Sequence, residues 1–272
     1  MILFEPQNNL VKKYVNTIYV INKSREQKSY IAFPTSYLAI GLFRNAVITC
    51  TGNEIQIKQS GRKTHVGIAV NLLIEPMKVC YETMPDEIAI NFKPFGFTSF
   101  SRENVQGNKS FFFITSWQDK LKELFDKVFG TQEPREQLAI IESFLSDHFT
   151  RIENEEALLK ATAILSDFTE DHSMNEVAEI AGMHYKVLYR SFMKYIGCSP
   201  AHFRKIARFR NSVDERLKSK GLPRFTEICY NNNYTDQPYF IKEYQRLTGE
   251  SPKEFFRHIS VLGDNNIIWR FY

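Results

Sequence analysis

Cysteine is scarce in this sequence, and its placement excludes two kinds of stabilised small fold. The 272 residues contain four cysteines, Cys50, Cys80, Cys198 and Cys229, without any Cys-x-x-Cys pair. Zinc sites and disulfide frameworks both depend on closely spaced cysteines, so neither is expected here. We predict four free thiols that are buried as small apolar side chains.

Histidine is also scarce, which argues against a metal-dependent enzyme. None of the six histidines forms a His-x-His or His-x-x-x-His pair, and only His65 lies in the first hundred residues. A catalytic metal held by a β-sheet needs several His and carboxylate ligands close together. Cys50 and Cys80 lack the basic or histidine neighbours that would activate a thiolate nucleophile. We therefore predict no catalytic residues, no metal and no cofactor, and the chain is not expected to be an enzyme.

Long apolar runs are absent as well. No stretch of 18 consecutive apolar residues occurs, and residues 1–8 lack the basic start and apolar run of a secretory signal. We therefore expect a cytoplasmic, soluble protein without a membrane partner. The length allows two domains, each with its own core.

Positive charge is distributed unevenly along the chain. The formal net charge is +4, but residues 173–272 contain 16 Lys and Arg against 10 Asp and Glu, which leaves residues 1–172 slightly acidic. An excess of basic residues in one part of a chain favours an anionic partner for that part.

The basic part of the chain contains an internal repeat. Residues 192–200 read FMKYIGCSP and residues 244–252 read YQRLTGESP, and the segment at 176–183 corresponds to the one at 227–234. Each copy predicts a short helix, a tight turn and a second helix with one apolar stripe. The sequence therefore predicts two helix-turn-helix units.

Local signals mark the ends of the repeated helices. Ser173 and Glu176 have the spacing of a capping box, and Gly182 suits the left-handed turn between the first two helices. In the second unit Asn233 takes the turn position, and Thr235 is expected to cap the outer helix.

A long helix is predicted between the two units. Ser199 and Pro200 have the preferred arrangement for a helix start, and the helix is expected to end near Lys218, before Gly221 and Pro223. Such a helix could place the two outer helices in successive segments of the DNA major groove, roughly 34 Å apart.

The outer face of each second helix supplies the candidate DNA contacts. Arg and Lys bind guanine edges or phosphates, Gln reads adenine, Asp accepts from cytosine, and Tyr contacts phosphate or the thymine methyl group. The residues predicted to project from these helices are Tyr185, Lys186, Tyr189, Arg190 and Lys194 in the first unit, and Asp236, Gln237, Tyr239, Lys242 and Arg246 in the second.

The C-terminal part also resembles a known family, the AraC family of bacterial transcription regulators. The signals are EVAEIAGM at 176–183, LYRSF at 188–192, GCSP at 197–200, YFIKEY at 239–244 and GESP at 249–252. Their order covers about residues 156–258. The resemblance implies sequence-specific promoter binding, often with an effector-sensing N-terminal domain and dimerisation.

Several residues depart from the family pattern, mostly in or near the second unit. Arg224 stands where an N-cap is expected, Cys229 and Asn233 replace alanine and glycine, and Glu215 and Arg216 occupy positions that often carry leucine. The second unit is therefore expected to be less stable or more plastic than the first.

The first hundred residues are predicted to be mostly β. Segments 14–21, 37–43 and 87–93 are rich in β-branched and aromatic residues, and residues 92–97 read FKPFGF, which indicates a strand halted by a turn. The Phe-x-Pro-x-Gly pattern weakly resembles sensor domains of the same family. Helical periodicity follows at 117–128 and 138–149.

The fold class predicted is therefore α+β with two domains. Residues 1–152 form a β-rich sandwich or small barrel with flanking helices, residues 153–260 an all-α domain with two helix-turn-helix units, and residues 261–272 an apolar tail. The tail is expected to dock on the helical domain, to pair as a strand, or to remain mobile.

The predicted function is a transcription regulator that binds double-stranded promoter DNA, engages RNA polymerase and forms a homodimer. A small-molecule effector is expected at the N-terminal domain. The alternative is an effector-independent DNA-binding protein whose N-terminal domain mediates only dimerisation or protein contacts.

Overall fold

The fold is that of a computed structural model. It describes all residues except 72–74, 104, 106–109, 220–222, 263–266 and 272, and for 261–262 and 267–271 it describes the backbone alone. A β-rich N-terminal region precedes a helical C-terminal region, as the sequence predicts.

The strands described belong to two sheets. They are β1 Ile2–Phe4, β2 Val15–Ile21, β3 Lys28–Ala32, β4 Leu38–Arg44, β5 Ala46–Thr51, β6 Glu54–Gln59, β7 His65–Val70, β8 Met77–Tyr81, β9 Asp86–Phe92, β10 Phe111–Ile114, β11 Ser260–Leu262 and β12 Ile267–Phe271.

The helices described are distributed along the whole chain. They are α1 Asn9–Tyr14, α2 Gly96–Phe100, α3 Gln118–Val128, α4 Pro134–Asp147, α5 Glu155–Ser166, α6 Met174–Ile180, α7 Tyr185–Tyr195, α8 Pro200–Lys218, α9 Phe225–Asn231, α10 Gln237–Thr248 and α11 Pro252–His258.

The first sheet has the strand order β1-β2-β9-β4-β7-β10 and is antiparallel throughout. Strands β2, β4 and β9 confirm the three strands predicted from β-branched and aromatic residues. Side chains alternate along β9, so that Ile88, Ile90 and Phe92 enter the core shared with α3 and α4, while Glu87 and Ala89 face the second sheet. The predicted pair of helices therefore packs against the β region.

The second sheet has the order β11-β12-β3-β8-β6-β5, with β6 and β8 parallel and the other pairs antiparallel. The two sheets face each other, and no closed barrel forms among the described residues. Of the three outcomes considered for the apolar tail, the structure has strand pairing. The backbone of Trp269 pairs with Ala32, and that of Phe271 pairs with Tyr30.

The helical region has its own core, which begins with the apolar face of α5. Leu188 and Phe192 of α7 and Phe240 and Tyr244 of α10 are fully buried in it, as the repeated apolar stripe predicts. Helix α8 runs between the two units and ends at Lys218; the predicted stop residue Gly221 lies outside the described residues.

The turn after β9 connects the two regions. Phe95 has a left-handed backbone with φ of 67°, is buried, and meets Phe192 edge to face with ring centroids 5.6 Å apart. Gly96 is required there because a Cβ atom would come within 2.2 Å of the Tyr14 carbonyl oxygen. The FKPFGF segment is thus both a strand-ending turn and part of the contact with the first helix-turn-helix unit.

Two further contacts join the regions. Phe33, just after β3, meets Phe255 of α11 edge to face at 4.9 Å between ring centroids. Glu155, at the start of α5, accepts hydrogen bonds from Lys13 and from the Tyr14 hydroxyl. The regions are therefore packed together by buried aromatic and polar contacts at several points.

The four thiols are free, but only half of them are fully buried. Cys198 and Cys229 lie in the core of the helical region, whereas Cys50 and Cys80 are half-buried on strands of the second sheet. Burial raises the pKa of the Cys198 thiol to about 12, so this side chain is an uncharged packing residue near neutral pH.

Two further observations concern metal binding and membrane insertion. Within the described ranges, no group of three His, Cys, Asp or Glu side chains is placed to hold a metal ion. In the same part of the chain, no helix combines the length and apolar character needed to cross a bilayer.

Candidate nucleic-acid interface and interior cavity

The first helix-turn-helix unit is formed by α6 and α7. The Ser173 hydroxyl accepts from the Glu176 amide at 3.3 Å, and the Glu176 carboxylate accepts from the Ser173 amide at 2.7 Å, which confirms the predicted capping box. Gly182 takes the left-handed turn with φ of 77°, also as predicted.

The outer face of α7 exposes the predicted residues of the first unit. Tyr185, Lys186, Tyr189 and Arg190 all point to solvent, and the two tyrosine rings lie 6.2 Å apart between centroids. Helix α7 contains no acidic residue, so this face presents uncompensated positive charge beside two aromatic rings. It has the composition of a surface that contacts a phosphate backbone and base edges.

Lys194 lies one helical turn beyond Arg190 and has different neighbours. Its ammonium lies 3.7 Å from the Glu153 carboxylate and 4.7 Å from the centroid of the Tyr195 ring. The side chain remains half exposed. The structure thus separates Lys194 from the four residues nearer the start of α7, although its DNA contact stays a prediction.

The second unit is formed by α9 and α10, and its outer helix begins one residue later than predicted. Asp236, not Thr235, is the N-cap: its Oδ1 accepts from the Tyr239 amide at 2.7 Å. The reason is Pro238. A cap at Thr235 could not bond the amide of its third helical residue, because residue 238 is proline, whereas a cap at Asp236 leaves Pro238 in the first turn and bonds the amide of Tyr239.

The outer face of α10 is less uniformly basic than that of α7. Gln237 and Lys242 are exposed, and Arg246 is half exposed with its guanidinium 3.5 Å from the Glu243 carboxylate. Tyr239 is half-buried, with its ring 6.3 Å from that of Tyr234. One oxygen of Asp236 is already engaged in capping, so its contact to cytosine and that of Tyr239 to DNA stay predictions.

Two departures from the family pattern, Glu215 and Arg216, contact residues in α9 or close to its ends. Glu215 accepts from the side-chain amides of Asn231 at 2.7 Å and Asn232 at 2.6 Å. The Arg216 guanidinium lies 4.9 Å from the centroid of the Phe225 ring and donates to the Pro223 carbonyl. The polar residues of α8 thus hold α9 in place of the expected leucines.

Asn233 provides a link between the second unit and the region before the first. Its backbone has φ of 54°, as the turn requires, and its side-chain amide donates to the Phe168 carbonyl at 2.8 Å. A glycine at this position would allow the turn but could not make that hydrogen bond.

Helix α8 joins the two units as a single rod. The Ser199 hydroxyl accepts from the His202 amide at 3.2 Å, which confirms the predicted cap, and the helix has 19 residues. At 1.5 Å per residue its length is about 28 Å. Arg204 of α8 also binds Asp171 with N and O atoms 2.6 Å apart, which fixes the segment before α6.

A cavity of about 500 Å³ lies between the two sheets of the N-terminal region. Apolar residues of both sheets line most of it, among them Ile68 and Val79, and one wall is contributed by Arg210 of α8. The volume is in the range of small-molecule sites. A molecule in this cavity would therefore touch both the β region and the helix that joins the two helix-turn-helix units.

The polar groups of the cavity include a buried carboxyl. Glu87 of β9 accepts a hydrogen bond from the Tyr81 hydroxyl at 2.8 Å. Burial raises the pKa of the Glu87 carboxyl to about 7, and the bond to Tyr81 opposes this shift only in part. Burial likewise raises the pKa of the neighbouring Tyr30 hydroxyl.

The sequence did not identify Glu87, Tyr81 or Arg210 as site residues. In β9, Glu87 alternates with apolar residues, which is the pattern of a strand whose polar side faces water. The signal that places Glu87 inside the protein comes from the second sheet, which covers that face. Arg210 belongs to a basic helix and carries no local sign of burial.

The family comparison matches the C-terminal part of the chain. Residues 154–258 match the model of a family described as a helix-turn-helix domain. No curated protein matches the chain.

Solved structures of ToxT from Vibrio cholerae are similar to this chain. One structure of the O395 protein is 12% identical, with 88% of this chain and 95% of that chain covered and a TM-score of 0.44. A second crystal form is 11% identical, with 88% and 96% covered and a TM-score of 0.47. A third, of wild-type ToxT bound to an unsaturated fatty acid, is 11% identical, with 88% and 92% covered and a TM-score of 0.43.

The family match coincides with the part of the structure that contains both helix-turn-helix units and the helix between them. Residues 154–258 of this chain therefore have both the sequence and the structure of a helix-turn-helix domain.

Proposed function

We propose that this protein is a sequence-specific regulator of transcription that inserts α7 and α10 into successive major-groove segments of a promoter. The observation that supports this most is the outer face of α7, where Lys186 and Arg190 are exposed beside Tyr185 and Tyr189 without an acidic residue on the helix. Arg and Lys on a recognition helix bind guanine edges and phosphates.

Helix α10 would provide the second contact. Gln237 and Lys242 are exposed on it, and α8 connects it to the first unit as a helix about 28 Å long. A rod of this length is comparable with the roughly 34 Å between major-groove segments on one side of DNA. We propose that Gln237 reads adenine and that Lys194, Lys242 and Arg246 bind phosphates.

The test is DNA binding by the variant that carries Lys186→Ala and Arg190→Ala. Duplexes enriched from a random-sequence pool by the full-length protein serve as ligands. If these side chains read bases, each should contribute about 1–3 kcal/mol to binding, and the base preference of the variant should relax at the contacted positions.

The matched control removes the same charge elsewhere. Lys253 and Arg257 are exposed on α11, four residues apart like the first pair, so Lys253→Ala with Arg257→Ala changes the net charge equally. The control should weaken binding slightly and only through salt-dependent attraction. Unchanged affinity of the α7 variant would reject the assignment of α7. An equal loss on all sequences would make Lys186 and Arg190 phosphate contacts.

We further propose that the cavity in the N-terminal region is an effector site. A ligand there would touch Arg210 of α8 as well as both sheets, and Phe95 joins the same region to α7. An effector changes DNA affinity only if it binds two states of the protein differently. The measurement is the DNA affinity of the full-length protein with and without a cavity ligand.

These assignments give each part of the chain a separate role. Residues 1–152 would act as the sensor and dimerisation domain and residues 153–260 as the DNA-binding domain, while strands β11 and β12 extend the second sheet of the N-terminal region. The protein would act as a homodimer in the bacterial cytoplasm and engage RNA polymerase at the promoter. Analytical ultracentrifugation tests the dimer, and transcription reconstituted with purified polymerase tests the promoter role.

A second candidate function is binding of DNA without an effector, with the N-terminal domain used only for dimerisation. The direct packing of Phe95 on Phe192 favours this alternative in one respect, because it holds the two regions in one arrangement. A DNA affinity that no cavity ligand changes would support it.

A further inference from the structure

We propose that one end of the cavity is a binding site for a protonated amine, and that the effector is an amphipathic molecule which places its ammonium group beside Glu87. This inference rests on the proposed effector function of the cavity and specifies the chemistry of its ligand. It follows from the placement of Glu87, its unused oxygen, the surrounding aromatic rings and the lack of a positive partner among the residues that the structure describes.

Glu87 lies at the end of the cavity that is remote from the DNA-binding helices. Strand β9 runs from Asp86 to Phe92, and Phe95, three residues later, contacts Phe192 of α7. Five residues of extended strand separate Glu87 from Phe92, a distance of about 17 Å. Arg210 interacts electrostatically with Tyr37, and Leu38, which follows Tyr37, pairs with Phe92. The cavity thus has an acidic end formed by Glu87 and an opposite end near Arg210.

The Glu87 carboxyl has one oxygen available to a ligand. Oε2 accepts from the Tyr81 hydroxyl, whereas Oε1 accepts no hydrogen bond from the residues that the structure describes. Gly41 leaves room for the Phe43 ring beside this oxygen, because a Cβ atom there would lie 3.4 Å from Oε1 and 2.6 Å from the ring. Glu87 itself lines the cavity, and a ligand donor would reach its carboxyl from there.

Aromatic rings surround the acidic end. Tyr30 and Tyr81 stack with ring centroids 6.4 Å apart and planes at 28°, and Tyr19 and Phe43 also line the cavity. Aromatic faces attract cations, most strongly where water is excluded. The combination of several rings with a carboxylate favours a cationic nitrogen over a neutral or anionic group.

Among the described residues, no positive charge is paired with Glu87. The other charged side chains that line the cavity are those of Glu26, Lys28 and Arg210, and Lys28 binds Glu26 at 3.1 Å where both side chains are exposed. Met1, whose amino group is charged, also lines the cavity and is 63% exposed. The pKa of Glu87 is set by burial and by Tyr81 alone. A carboxylate that is only 4% exposed and accepts a single hydrogen bond is unfavourable, and an ammonium group would compensate it.

The experiment compares three ligands that share one chain and differ in the head group. Octylamine, 1-octanol and octanoate are titrated into the full-length protein by calorimetry. We expect octylamine to bind about tenfold more tightly than 1-octanol, because a charge-assisted hydrogen bond contributes more than a neutral one. Between about pH 6 and about pH 8 its affinity should rise roughly tenfold as Glu87 ionises, while that of 1-octanol should stay constant.

Two variants identify the group responsible. Glu87→Gln keeps the shape and still accepts from Tyr81, and it should remove both the preference for octylamine and its pH dependence without weakening 1-octanol. Glu26 also lines the cavity, but its side chain is 65% exposed. Glu26→Gln should therefore change neither the preference for octylamine nor the pH dependence of octylamine binding. An equal effect of the two substitutions, or a wild-type preference for 1-octanol or octanoate, would overturn the inference.

The same ligands separate this inference from the proposed function. If octylamine binds preferentially through Glu87 but leaves the affinity for selected DNA unchanged, the amine site stands and effector control fails. If octanoate is preferred and changes the DNA affinity, effector control stands and the amine site is wrong.

Discussion

The two helix-turn-helix units have the same outline but are held in place by different forces. In the first, a serine caps α6, a glycine makes the turn, and Phe192 of α7 packs directly on Phe95 of the β region. In the second, Arg224 at the start of α9 provides no side-chain cap, and Asn233 makes the turn. A hydrogen-bonded network to Glu215 of α8 then fixes α9.

The difference shows how one motif can be given two roles. Apolar packing ties the first unit to the cavity-bearing region, so a change in that region can reach α7 directly through the contact between Phe95 and Phe192. Directional hydrogen bonds tie the second unit to α8, so its position follows the long helix. The first unit is therefore the one expected to respond to the sensor, and the second the one that keeps the spacing.

The largest effect is expected from truncating the two equivalent core aromatics. Phe192→Ala and Phe240→Ala each remove a fully buried ring, which should lower the free energy of unfolding by about 3–5 kcal/mol. Only Phe192→Ala should also weaken the coupling of the two regions, seen as separate transitions in denaturant. Phe113→Ala is the control, because its side chain is 45% exposed. A single transition for both core variants would contradict the assigned difference.

The polar attachment of the second unit is tested by Glu215→Ala. Without this carboxylate the side-chain amide of buried Asn232 loses a partner, and the free energy of unfolding should fall by about 1–3 kcal/mol. Glu123→Ala serves as control, since it removes only an exposed pair with Lys127, which should contribute little to stability. If both variants unfold at the same denaturant concentration, α8 does not hold α9 through this network.

The two turn residues should respond to substitution by different amounts. Gly182→Ala places a side chain at φ of 77°, which should reduce the free energy of unfolding by about 1–2 kcal/mol. Asn233→Gly removes the hydrogen bond to Phe168 but eases the left-handed backbone, so a change of at most about 1 kcal/mol is expected. Thermal unfolding of both variants is the measurement. A larger loss for Asn233→Gly would mean that its amide bond contributes more than the turn itself.

The smallest change in the free energy of unfolding is expected when the missing side-chain cap of the second unit is introduced. Arg224→Ser would complete a capping box, because the Glu227 carboxylate already accepts from the amide of residue 224 at 2.8 Å. Stability should increase by about 0.5–1 kcal/mol, whereas Ser173→Ala in the first unit should decrease it by about 1 kcal/mol. Parallel chemical unfolding curves measure both, and a destabilised Arg224→Ser variant would show that the arginine has a structural role.

The sequence predicted the features that depend on neighbouring residues. The capping box at Ser173, the cap at Ser199 and the left-handed turns at Gly182 and Asn233 are all present because each is decided within a few positions. The wrong cap at Thr235 belongs to the same class. Pro238 disfavours it by removing one of the two amides that this cap could bond, so the sequence contained the information.

The features that were not predicted depend on residues far apart in the chain. Glu87 becomes a cavity residue only because the second sheet covers one face of β9, and Tyr81 reaches it from that sheet. Phe95 was assigned to a turn, but its contact with Phe192 spans almost a hundred residues. Such contacts depend on how the sheets and helices pack against each other, so local periodicity in the sequence does not predict them.

The pairing of β12 with β3 has a consequence for the order of events during synthesis. Residues 267–271 leave the ribosome more than two hundred residues after residues 28–32. At about 5–20 residues per second this delay is on the order of tens of seconds. During that time β3 is an unpaired edge strand, and a strand of another nascent chain can pair with it incorrectly. The edge of the cavity-bearing sheet is therefore closed only after both helix-turn-helix units have been made.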